Sequence, residues 1–74
     1  MTKEHFMFLI ASKKEIEFEF KGKTYIINYG KDNKGKDNII FGQLYEGKPF
    51  EDVGDLLNNA KIENYFFKEI IEDL

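Results

Sequence analysis

The residues of this chain that could do chemistry are few, and their spacing suits little of it. Two stretches, Gly30-Lys31-Asp32-Asn33-Lys34-Gly35-Lys36 and Gly42-Gln43-Leu44-Tyr45-Glu46-Gly47-Lys48, satisfy the G-x-x-x-x-G-K spacing of a phosphate-binding loop. A working loop continues with Ser or Thr, whose hydroxyl meets Mg²⁺, and opens a helix whose amides hold phosphate. Asp37 and Pro49 stand in that place here. Asp37 would repel phosphate; Pro49 removes an N–H and disfavours a helical conformation at Lys48. Gly22-Lys23-Thr24 has the right ending, but Glu17 occupies the first glycine position. Hairpin turns explain all three Gly-Lys pairs. Asp32, Asn33, Asp37 and Asn38 offer oxygen ligands without the spacing of a calcium loop, and neighbouring lysines compete with a cation. They read as a solvated turn.

Nucleophilic and metal chemistry are equally undersupplied. His5 follows Glu4, but adjacent residues on a helix do not face each other, and no second His and no Cys completes a metal site. Ser12 is the only serine, and a triad with His5 would have to stand on one short helix without an oxyanion hole. Glu15, Glu17 and Glu19 form a row on a strand face with no sign of a cleft, which is the pattern of a solvated face. No catalytic residue, cofactor or metal is expected.

Composition narrows the classes further. The chain has 74 residues, of which 42% are hydrophobic, 16% aromatic and 34% charged, so it reads as one small folded domain spanning residues 1–74. Such a chain buries only about 60–65% of its unfolded surface. Cysteine is absent, which removes disulfides and thiolate sites. All basic residues are lysine, and the formal net charge of −3 argues against a dedicated nucleic-acid binder. Residues 1–50 are slightly basic and residues 51–74 strongly acidic. The longest apolar run, Phe6 to Ala11, is far short of the ~18–20 residues of a membrane span and short for a signal peptide. The chain is therefore read as complete, cytoplasmic and without a membrane partner; its abundance of Ile, Asn and Lys suggests an AT-rich bacterial genome.

The elements that must position these residues follow from periodicity. Thr2 caps a first helix, with Phe6, Leu9 and Ile10 on one face. Residues 15–20 alternate Glu with Ile or Phe, and residues 24–29 are β-branched and aromatic, so both are strands. A two-residue turn at Lys21-Gly22 sets Phe18 opposite Tyr25 and Ile16 opposite Ile27, whereas a three-residue loop would split the apolar set. A third strand is expected over residues 38–46, with Gly42 marking a bulge or a close contact and Gly47-Lys48-Pro49 ending it. Asp52 caps a short helix over residues 53–60, and Glu63 or Asn64 caps a last helix carrying Phe67, Ile70, Ile71 and Leu74. The fold class is α+β: an N-terminal helix, a three-stranded antiparallel β-meander, and two C-terminal helices packed on one face. The expected core is Phe6, Leu9, Ile10, Ile16, Phe18, Tyr25 and Ile27, with Leu44, Leu56, Leu57, Ile62, Phe67, Ile70 and Ile71.

The segments IEFEFKGKTYII and LLNNAKI, with EII near the end of the chain, resemble those of a group of short uncharacterised bacterial proteins. In that group a strand–Gly-Lys–strand hairpin precedes a Leu-Leu helix and a final helix. The resemblance covers about residues 15–72, implies that order of elements and implies no activity. Where the group has Gly after the acid that follows the Ile, this chain has Asn64.

Without a catalytic set but with twelve aromatics, the leading expectation is a small non-enzymatic module that binds a protein partner or a second copy of itself. Phe50, Tyr45, Tyr65 and Phe66 are its candidate contacts, because a core this small cannot absorb every ring. The alternative is weak single-stranded nucleic-acid binding through Lys21, Lys23, Lys31, Lys34 and Lys36 in the hairpin loops, with aromatics stacking on bases. It lacks arginine, and it would take rings from the face the core requires.

Overall fold

The computed structural model describes residues 1–74. Helix α1 spans Lys3–Ala11, and the Thr2 hydroxyl accepts from the His5 amide at 3.1 Å, as the sequence predicts. The helix ends in a Schellman arrangement: Lys14 N–H donates to the Leu9 carbonyl and Lys13 N–H to that of Ile10. This puts Lys13 at φ +53, a position usually given to Gly.

Strands β1 (Ile16–Phe20) and β2 (Lys23–Lys31) pair in the expected register, Phe18 against Tyr25 and Ile16 against Ile27. Lys21 at φ +51 and Gly22 at φ +80 make the two-residue turn, with the two positive φ values of a type I′ hairpin. Strand β3 (Asp37–Gln43) places Phe41 against Ile27 and Ile39 against Tyr29. The face of the Ile39-Ile40-Phe41 run is thereby decided: Ile39 and Phe41 enter the core, and Ile40 points to the other side.

Three expectations need correction. The sheet has four strands, because Lys48–Phe50 forms β4 against β3. Pro49 does not prevent this, since β4 is an edge strand and a missing N–H can face solvent there. The last helix does not start near Glu63. Lys61–Ile62 (β5) and Tyr65–Phe66 (β6) form a separate two-stranded ladder with Glu63-Asn64 as its turn, and α3 covers only Phe67–Ile70 before a 3-10 turn at Ile71–Asp73. Leu44 is not core: it lies in the turn after β3, 37% exposed.

Helix α2 (Val53–Asn59) follows its sequence signal. Asp52 accepts from Asp55 N–H at 2.8 Å, and Asp55 accepts in return from Glu51 N–H at 2.9 Å. The core lies between one face of the four-stranded sheet and the C-terminal elements. Phe67 is its hub, with ring centroids 5.2 Å from Phe6, 5.0 Å from Phe41 and 6.0 Å from Phe18. Leu56, Leu57, Ala60, Ile62, Ile70 and Ile71 close it from the helical side. Of the expected core, Leu9, Ile10 and Phe18 are only partly buried but pack against it. No helix is long and apolar enough to cross a membrane.

Candidate functional site

The turn between β3 and β4 is built to close tolerances. Glu46 N–H donates to the Gln43 carbonyl at 2.7 Å, and Leu44 N–H donates to Thr24 at 3.0 Å, tying the turn to β2. Gly42 lies beneath it: a Cβ there would sit 2.6 Å from the Glu46 carbonyl oxygen. The close contact expected at Gly42 comes from the turn that follows its own strand and not from another element. A Cβ on Gly47 would sit 2.6 Å from Ile40 Cγ2. Tyr45 occupies the third position of this turn at φ +71, where L-residues with a Cβ are strained. Its side chain is 95% exposed and stacks on no other ring.

Four non-glycine residues have positive φ: Lys13, Lys21, Tyr45 and Glu63. Three of them are engaged within the molecule. Lys13 Nζ donates to Asp37 at 2.8 Å. Lys21 Nζ lies 3.7 Å from the Glu63 carboxylate and 5.0 Å from the centre of the Tyr65 ring, and Lys23 approaches the same carboxylate at 3.9 Å. Glu63 is thus held by two lysines across the tips of two hairpins. Tyr45 has no such partner.

The other candidate contacts are dispersed. Tyr65 is 44% exposed and packs edge-on against Phe20 at 6.5 Å. Phe66, its neighbour in β6, lies between Lys61 at 4.8 Å and Lys68 at 5.8 Å. Phe50 is half-buried and packs on Phe41. No ring pair joins Tyr45, Tyr65, Phe66 and Phe50 to one another. Phe8, 64% exposed on α1, is an exposed ring that sequence reading passed over; its place beside the Phe6–Ile10 stripe was the available signal.

The five candidate lysines fall into two groups. Lys21 and Lys23 sit at the β1–β2 turn, and Lys31, Lys34 and Lys36 at the β2–β3 loop. The length of β2 separates them, about 27 Å at ~3.4 Å per residue. Asp32 organises the second loop by accepting from the amides of Lys34 and Lys36 at 2.8 and 2.9 Å. Lys31 Nζ donates to Asp37 at 2.7 Å. Hydrogen bonds from Lys13 and Lys31 lower the Asp37 carboxyl to about 2, and the Asp37 contact raises Lys31.

The phosphate-loop spacings lead into strands, not helices: β3 follows Gly35-Lys36, and β4 starts at Lys48. The largest surface depression, about 550 Å³, lies between the β2–β3 loop and β4 and is lined by Lys31, Asp32, Lys36, Asp37, Asn38 and Phe50 among others. Asn38 Oδ1 is buried there without a hydrogen-bond partner, facing the space left by Gly30. Tyr29 O–H donates to the Lys14 carbonyl at 2.7 Å; burial first, and Glu15 second, raise its pKa.

No family model matches this chain, and no curated protein or solved structure does.

Proposed function

We propose that this chain is a non-enzymatic protein-binding module whose anchor is Tyr45. One observation carries the reading: Tyr45 is the positive-φ side chain that nothing inside the molecule holds. A left-handed residue bearing a side chain costs on the order of 1–2 kcal/mol, and such strain gathers where function requires it. Tyrosine supplies a rigid, amphipathic contact with few rotors to immobilise, which suits it to the centre of an interface. The close packing of Gly42 and Gly47 preorganises the turn, and that lowers the ordering cost of binding.

The lysines give an oligonucleotide less to hold. Lys21, Lys23 and Lys31 already face carboxylates, and the two groups stand at opposite ends of β2.

The test compares wild-type, Tyr45→Gly and Tyr65→Ala proteins as immobilised baits for the proteins of the source cell. A protein retained by the wild type and by Tyr65→Ala, but lost from Tyr45→Gly, is the expected result. Equal recovery on all three baits contradicts the reading.

A further inference from the structure

The two edges of the four-stranded sheet differ. Strand order β1-β2-β3-β4 leaves β1 and β4 outermost. Edge β4 is three residues long and carries Pro49, both devices that blunt an edge against further pairing. Edge β1 has five residues, no proline and no glycine.

Register identifies the free groups on β1. The type I′ turn makes Phe20 and Lys23 a hydrogen-bonded pair, and antiparallel ladders alternate from there. Ile16, Phe18 and Phe20 therefore turn their backbone groups toward β2, and Glu17 and Glu19 turn theirs away. No hydrogen bond outside the ladder reaches the backbone of either glutamate. Their side chains are exposed on the sheet face opposite the core and enter no ion pair. On the core side, Phe18 and Phe20 are only partly buried at the same edge, Phe18 stacked on Tyr25 and Phe20 edge-on to Tyr65.

Antiparallel pairing of β1 with the β1 of a second copy is disfavoured there. In any antiparallel pairing of β1 with itself, residues with outward backbone groups must oppose one another. Each such register that pairs more than one residue of β1 (Ile16–Phe20) sets Glu17 or Glu19 against a glutamate of the other copy, and like charges directly opposed destabilise a sheet. A strand that alternates a basic residue with an apolar one meets both requirements: its bases oppose Glu17 and Glu19, and its apolar side chains cover Phe18 and Phe20. We propose that β1 accepts an extended basic–apolar segment of a partner protein as a fifth strand, by β-strand addition. This surface is separate from the Tyr45 turn, and neither depends on the other.

The probe is a blocked hexapeptide of alternating Lys and Val, with one of alternating Glu and Val as its counterpart. Amide hydrogen exchange of the folded protein is followed by NMR with each peptide in excess. The Lys-Val peptide is expected to slow exchange at Glu17 and Glu19 at least tenfold, to leave β4 unchanged, and to lose its effect as salt rises. The Glu-Val peptide is expected to do nothing. A Glu17→Lys/Glu19→Lys variant should reverse the preference; should that variant fail to fold, the two peptides on the wild type decide the matter. The proposal is overturned by no protection from either peptide, by equal protection from both, or by protection that grows with protein concentration alone, which would mean self-pairing. Tyr45→Gly should retain the full Lys-Val response, so that a failure at the Tyr45 turn and a failure at β1 are read separately.

Discussion

The β1–β2 tip and the β3–β4 tip use the same backbone device and put it to different ends. Each holds a residue with a side chain in the left-handed region, Lys21 in one and Tyr45 in the other. Lys21 reaches Glu63 and the Tyr65 ring, so the conformation brings two hairpins together. Tyr45 reaches nothing within the chain and stands 95% exposed. The first tip spends its conformation on the fold. The second has no internal return, and this difference is the ground for assigning it to a partner.

The largest effect expected at these tips is at Gly42. A Cβ 2.6 Å from the Glu46 carbonyl forces the turn backbone to move, so Gly42→Ala should cost about 1–3 kcal/mol, measured as a lower denaturant midpoint. It should also weaken capture of any Tyr45-dependent partner, because the turn that presents the ring is displaced. Tyr45→Gly comes next and has the opposite sign. It removes the left-handed strain and no packing, so stability should rise by about 1 kcal/mol. Lys21→Gly relieves the same strain but loses the Glu63 and Tyr65 contacts, so its net change should be less than about half that gain. Equal gains at the two sites would erase the distinction between the tips.

The smallest effect concerns Asp37, which ties the end of α1 to the β2–β3 loop through Lys13 and Lys31. Its folded-state pKa is depressed from 3.8 to about 2, so the stability it contributes is present above about pH 4 and is lost as pH falls toward 2. Asp37→Asn should remove that part of the acid-side slope in pH-dependent unfolding and lower the neutral plateau by the same amount, a small one because Asp37 and both lysine partners are largely exposed.

Much of the fold was legible because some segments carry period and punctuation together. The Glu-x-Glu-x-Glu alternation and the Lys21-Gly22 turn point to the β1–β2 register, since a three-residue loop would split the apolar set between faces. Thr2 and Asp52 mark their helix starts by short-range hydrogen bonds that any sequence reader can place. Strand β4 was illegible: three residues are too few to show a period, and Pro49 reads as a stop unless the strand is known to lie at an edge. The Phe67, Ile70, Ile71 and Leu74 stripe identified the buried side chains but not the backbone. Glu63, which looks like a cap, instead forms the turn of the β5–β6 ladder, held there by Lys21 and Lys23 from a distant hairpin. Tyr45 was legible as an exposed aromatic, but its strained conformation depends on Gly42 and Gly47 packing beneath the turn, which no local pattern announces. In sequence the candidate lysines belong to the hairpin loops as one surface, and the length of β2 divides them into two.

The central claim is that Tyr45 is strained for the sake of a partner, and one paired measurement on Tyr45→Gly tests it most directly: unfolding free energy and partner retention on the same preparation. The account predicts opposite movements, with stability higher by about 1 kcal/mol and the partner lost. A variant that is more stable and retains every partner of the wild type, or one that is destabilised, would contradict it.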